Sequence, residues 1–100
     1  MEPYNIKIYN KAQEDLSELV TYINQFYTET ALSYYDEVIK AIGTLTNMPE
    51  RCPLVRDQIL RLKGYRWIDV KNYAVFYVIK GKMVQIRRIL YNKRQYKDLL

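Results

Sequence analysis

The cations and aromatic rings able to grip a polyanion gather between residues 61 and 97 of this chain. They are Arg61, Lys63, Arg66, Trp67, Arg87, Arg88, Tyr91, Lys93, Arg94, Tyr96 and Lys97. A guanidinium fork holds a phosphate or carboxylate through two parallel hydrogen bonds, and a phenol or indole ring can stack on a base. Acid–base catalysis, if any, would have to use Tyr, Lys, Arg, Asp or Glu. Arg61, Lys63, Arg87, Arg88, Tyr91, Lys93 and Lys97 are then the residues to bind a polyanion, a target or an acidic partner. Histidine is absent and Cys52 is the single cysteine, so imidazole or thiolate metal sites and Ser-His or Cys-His nucleophiles are excluded. The three glycines are isolated and form no phosphate loop. No metal or cofactor is expected. Asp57, Asp69 and Asp98 are the carboxylates of the basic half, and nothing in their spacing brings two of them together. A purely structural use for Arg88 is a pair with Asp69 on a neighbouring strand.

These side chains need a rigid platform. Tyr73 to Ile79 is almost wholly aromatic or β-branched, as a strand buried on both faces requires. Lys80-Gly81 supplies a turn with glycine where positive φ is needed. A second strand, Met83 to Leu90, then delivers Arg87 and Arg88 near its end. Upstream, Ile59–Leu62 and Tyr65–Val70 read as strands around Lys63-Gly64, and Lys71-Asn72 turns into the central hairpin. Tyr65, Trp67, Tyr73 and Tyr77 are better placed for packing than for binding.

The N-terminal half supplies the cover. Tyr4 to Tyr9 alternates as a half-buried strand. Asn10 reads as a helix N-cap with Gln13 at the third helical position, and Ala12, Leu16, Leu19, Val20, Ile23, Phe26 and Tyr27 make an apolar stripe. Thr28 or Thr30 can cap a second helix with the stripe Ala31, Tyr35, Val38, Ile42 and Leu45. Gly43 suits a close approach to the neighbouring helix, and Met48-Pro49 stops the segment. A short link makes the pair an antiparallel αα-hairpin. The expected fold is α+β, β-α-α-β-β-β-β. An antiparallel-rich sheet of four to five strands carries the hairpin on one face and leaves the other partly open and basic. Residues 1–100 are expected to make a single domain.

Charge is divided along the chain. Residues 1–50 set three lysines against eight carboxylates, a net −5, whereas residues 51–100 set thirteen Lys or Arg against three Asp, a net +10. Thirteen cations on so little surface point to nucleic acid or an acidic protein segment as partner. No apolar run approaches the roughly 20 residues that span a bilayer, the opening Met1-Glu2-Pro3 starts no signal peptide, and a lone cysteine suits a reducing compartment. The cytoplasm is the expected location.

The pattern resembles the RelE/ParE superfamily of bacterial toxins from type II toxin–antitoxin modules. The resemblance is carried by Ile6-Lys-Ile-Tyr-Asn-Lys-Ala-Gln-Glu-Asp-Leu16, Tyr22-Ile23, Leu45 to Pro49, Gly64-Tyr-Arg66, Val70-Lys-Asn-Tyr-Ala-Val-Phe-Tyr-Val78 and Val84-Gln-Ile-Arg-Arg-Ile-Leu-Tyr-Asn-Lys-Arg-Gln-Tyr96. It implies a small toxin silenced by an acidic, partly disordered antitoxin. RelE-like members cut messenger RNA in the ribosomal A site without a metal, and ParE-like members poison DNA gyrase. The long hairpin, about Lys11 to Thr46, is similar to the ParE-like side. The central-strand arginine of RelE-like nucleases falls on Ala74, and their paired lysines fall near Arg66 and Ile68. Arg94 matches a C-terminal arginine, and Tyr96 is an imperfect counterpart of the catalytic tyrosine. The expectation is therefore gyrase inhibition. The alternatives are a ribosome-dependent mRNA endonuclease or a plain nucleic-acid-binding module. In the first, Arg66, Arg87, Arg88 or Arg94 would hold phosphate, with Tyr91 or Tyr96 as acid or base. An acidic partner is expected to lay a helix or strand across the basic face, and the cations and phenols of the last third are expected to form one patch.

Overall fold

The computed structural model describes residues 2–93 and 95–100. Four strands form one sheet: β1 (Asn5–Ile8), β2 (Arg66–Val70), β3 (Tyr73–Lys80) and β4 (Met83–Tyr91). Their order is β1-β4-β3-β2, with β1 parallel to β4 and the other neighbours antiparallel. The helices α1 (Asn10–Asn24) and α2 (Thr28–Thr44) form the hairpin that follows β1. The class, the hairpin and the antiparallel-rich sheet are those read from the sequence.

β3 runs up the middle and is buried on both faces because its side chains alternate between two cores. Val75 and Tyr77 join Val84, Ile86 and Ile89 of β4 beneath Ala12, Leu16 and Leu19 of α1 and Val38, Ile42 and Leu45 beyond them. Ala74, Phe76 and Val78 point the other way, into a smaller core with Val55, Leu60, Tyr65 and Leu90. Trp67, Tyr96 and Leu100 pack against this second cluster.

The second core corrects the expectation of an open basic face. Ile59–Leu62 is helical rather than extended: α3 spans Gln58–Leu62, opened by the Asp57 carboxylate accepting from the Leu60 amide at 3.1 Å. Only Leu60 of that helix is buried, while Ile59 and Leu62 stay exposed. Four residues are too few for periodicity to separate a helix from a strand, and the cap decides. With the short C-terminal helix α4 (Tyr96–Leu99), α3 helps cover the face opposite the hairpin.

Local details differ as well. α1 starts at Asn10 behind an extended Tyr9, without a side-chain cap, and the Gln13 amide donates to the Ile8 carbonyl at 2.9 Å. β1 runs straight into the helix, so the boundary falls one residue early. α2 likewise opens behind Tyr27, with Thr28 already helical and no hydroxyl cap. The turn between β3 and β4 is Gly81-Lys82, because Lys80 pairs with Met83, and Gly81 holds a φ of 59°. A Cβ on Gly43 would meet nothing within 4 Å, so no helix approaches closely there.

Candidate functional site

β1 stops pairing at Ile8↔Ile86, whereas β4 continues to Tyr91. The chain leaves the sheet at Tyr9, whose amide still donates to the Ile86 carbonyl at 2.9 Å, and enters α1. Beyond that point the edge of β4 has lost its neighbouring strand. Its register against β3 also slips there: Tyr77 faces Ile86 and Phe76 faces Arg88, so Arg87 is the extra residue of a β-bulge. Bulges bend a strand and re-aim its side chains. Here the two arginines meet different surroundings.

Arg88 turns to α1. Its Nε and Nη2 donate to the two carboxylate oxygens of Asp15 at 2.8 and 2.9 Å, and the Ile89 amide donates to Asp15 Oδ2 at 2.9 Å. One carboxylate thus replaces the missing strand and neutralises the cation. The side chains are 17% and 10% exposed, and the hydrogen bond to Asp15 raises the Arg88 pKa above its ordinary value against the opposing effect of burial. Nη1 also donates to the Leu99 carbonyl at 3.2 Å. The structural partner is therefore Asp15 and not Asp69, since the open strand edge lies beside α1.

Arg87 sits between two phenol rings. Its guanidinium carbon lies 4.7 Å from the Tyr9 ring centre and 5.8 Å from that of Tyr65. Nη1 donates to the Tyr65 hydroxyl at 3.2 Å, and Nε and Nη2 donate to Gln85 Oε1 at 3.3 and 2.8 Å. Tyr9, Asn10, Lys11, Tyr65, Leu99 and Leu100 line a depression of about 320 Å³ with both arginines.

The remaining candidates lie elsewhere. Arg66 donates through Nη1 to the carbonyls of Glu50 and Cys52 at 2.9 and 2.5 Å, which ties the segment before β2 to the sheet. Arg61 reaches the Val55 carbonyl at 3.3 Å, and Lys63 is exposed at the end of α3. Lys93 pairs with Asp69 at 3.2 Å and lies 4.8 Å from the Trp67 ring centre. Tyr91 is set edge-on against Tyr73 at 5.4 Å, and burial pushes the Tyr73 hydroxyl pKa up. Tyr96 stacks on Phe76 at 5.4 Å while its hydroxyl accepts from the Asp57 amide at 3.0 Å. Lys97 is exposed on α4. Arg94 lies outside the described residues.

Of the described candidates, Arg87 and Arg88 share one depression, Lys93 lies in a second, about 280 Å³, with Asp69 and Lys71 at the Lys71-Asn72 turn, and the others line neither. The described candidates do not form one patch. The depression at Arg87 also holds Tyr9, Lys11 and Tyr65, to which the spacing of the cations does not point; nothing local marks Tyr9, which meets Arg87 only through the β1–β4 pairing. A different kind of surface lies at the hairpin tip, where Tyr22, Phe26 and Tyr27 are 61%, 61% and 72% exposed.

The fold has counterparts among solved structures. A chain of the chromosomal ParDE toxin–antitoxin system from P. aeruginosa superposes with a TM-score of 0.72 at 21% identity, covering 88% of this chain and 95% of that one. A chain of the toxin–antitoxin complex RelBE2 from Mycobacterium tuberculosis gives 0.66 at 23% identity, covering 91% and 93%. At such identities the likeness is one of fold. No curated protein matches the sequence. The family described as the ParE toxin of the type II toxin–antitoxin system parDE matches residues 6–96, from the first strand through the sheet to the start of α4, and this chain belongs to that family.

Proposed function

We propose that this toxin acts in the cytoplasm by binding DNA gyrase, without cleavage chemistry of its own, until an acidic antitoxin neutralises it. The observation that carries the reading is how its polar groups are engaged. Among the described residues, a nuclease would draw on Arg66, Arg87 or Arg88 to hold phosphate and on Tyr91 or Tyr96 as acid or base. Three of these five are committed within the fold. Arg66 is tied to two carbonyls, Arg88 to Asp15 and the Tyr96 hydroxyl to a backbone amide. A cation that holds a phosphate must reach it with its donors free, and a phenol stacked on the core and bonded to a backbone amide is held partly out of solvent. Ala74, where the resemblance puts the nuclease arginine, is 1% exposed inside the second core. Exposed aromatics at the hairpin tip suit a protein target, since large rings are favoured anchors at protein interfaces.

The test is supercoiling by purified gyrase in the presence of the purified toxin. Loss of supercoiling at micromolar toxin is expected, and reversal by antitoxin should follow. Unaffected gyrase rejects the proposal. Primer extension on a translated message distinguishes the endonuclease reading, because A-site cuts would appear there and gyrase would be spared.

A further inference from the structure

We infer that the Arg87 depression is a carboxylate clamp, the seat of an Asp or Glu side chain on the acidic partner. The inference rests on the antitoxin reading and is independent of the gyrase target. A guanidinium carries five N–H donors. In Arg87, Nε–H and one Nη2–H go to Gln85, and one Nη1–H goes to Tyr65. One N–H on each terminal nitrogen is left without a partner among the described residues. Those acceptors are neutral, so the charge is held in place without being neutralised. Its neighbour Arg88 has Asp15, and Lys93 has Asp69; no carboxylate pairs with Arg87 among the described residues.

The surroundings favour a side chain over a nucleic acid backbone. The depression holds about 320 Å³ and is walled by Tyr9, Tyr65, Leu99 and Leu100, with Lys11 also in its lining. Apolar walls reduce solvent screening and strengthen a charge-assisted pair. The two ring faces and Gln85 hold the guanidinium plane, so little side-chain freedom remains to be lost on binding. Tracking a duplex takes a row of free cations along successive phosphates. Here the adjacent Arg88 is already bonded within the fold, as is Arg66 beyond it.

The experiment is titration calorimetry of the toxin with the antitoxin encoded beside it, at low and at high salt, for the wild type, Arg87→Gln, Arg87→Lys and, as a distant exposed cation, Lys40→Gln. Arg87→Gln should weaken binding by about tenfold to a hundredfold, the worth of a charge-assisted pair. It should also flatten the salt dependence. Arg87→Lys keeps the charge without the fork and should fall between, and it carries the test if Arg87→Gln does not fold. Lys40→Gln should bind like the wild type. Binding by Arg87→Gln or Arg87→Lys within about twofold of the wild type, a change that the low-nanomolar to micromolar range resolves easily, overturns the clamp. So does loss of duplex DNA binding with antitoxin binding intact, which would make the depression a phosphate site. A wild type that ignores the antitoxin altogether refutes the partner reading itself.

Discussion

Replacing Asp15 by alanine removes the group that closes the open edge of β4. Three N–H donors converge on that carboxylate, from Arg88 Nε, Arg88 Nη2 and the Ile89 amide, at 2.8–2.9 Å. Asp15 and Arg88 are only 10% and 17% exposed, so water cannot fully take its place. Removing one partner of a buried pair and leaving the other charge uncompensated costs about 3–5 kcal/mol. Typical domain stability is about 5–15 kcal/mol, so this is a large fraction of the total. For a chain of this size each kcal/mol lowers Tm by about 4–8 °C, which places the loss at roughly 12 °C or more. Urea denaturation followed by circular dichroism measures it directly. Arg88→Ala should cost less, because Asp15 keeps the Ile89 amide. The double variant should fall short of additivity by about 2 kcal/mol, the signature of a direct pair. If Asp15→Ala loses less than about 1 kcal/mol, or the coupling is below about 0.5 kcal/mol, Asp15 does not stand in for a strand and Arg88 is available for other work.

Three further outcomes are expected. Tyr77 is buried with its hydroxyl donating to the Pro49 carbonyl, and burial raises its pKa above the usual 10.0. The folded protein keeps this proton when the unfolded chain releases it, so stability should fall above about pH 10 by up to about 1.4 kcal/mol per unit from this group. Tyr77→Phe should lose about 1 kcal/mol at neutral pH and show a shallower alkaline decline; an unchanged decline in pH-dependent melts would refute this. Gly43→Ala should gain about 0.5–1 kcal/mol in urea unfolding, since φ there is helical and a methyl group meets open space, while Gly81→Ala, at φ 59°, should lose about 1 kcal/mol or more. Tyr96→Phe keeps the stack on Phe76 and removes the acceptor for the Asp57 amide, so a loss of about 1 kcal/mol is expected, with faster amide exchange at Asp57. Tyr96→Ala should lose more, and equal losses would assign no value to the ring contact.

Much of the architecture follows from local chemistry. Apolar spacing in Ala12–Tyr27 and Ala31–Leu45 determined two helices, and a short link made them antiparallel neighbours. The unbroken run Tyr73–Ile79 determined a strand with no solvent face, and Lys71-Asn72 and Gly81 determined where it turns. These features depend on residues close in sequence, whose periodicity survives whatever else the chain does. Ile59–Leu62 was too short to carry such a signal, and the Asp57 cap set its conformation.

The fate of each cation was decided only in three dimensions. Arg87 and Arg88 are neighbours of one type in one basic stretch, yet one is neutralised and the other is not. The difference comes from β1 ending at Ile8, which opens the edge of β4 to Asp15, and from a bulge that gives Arg87 its own environment. Asp15 lies 73 residues from Arg88, and Tyr9 meets Arg87 across a comparable interval. Composition counts charges, but whether a charge is free depends on what the folded chain brings within hydrogen-bonding distance.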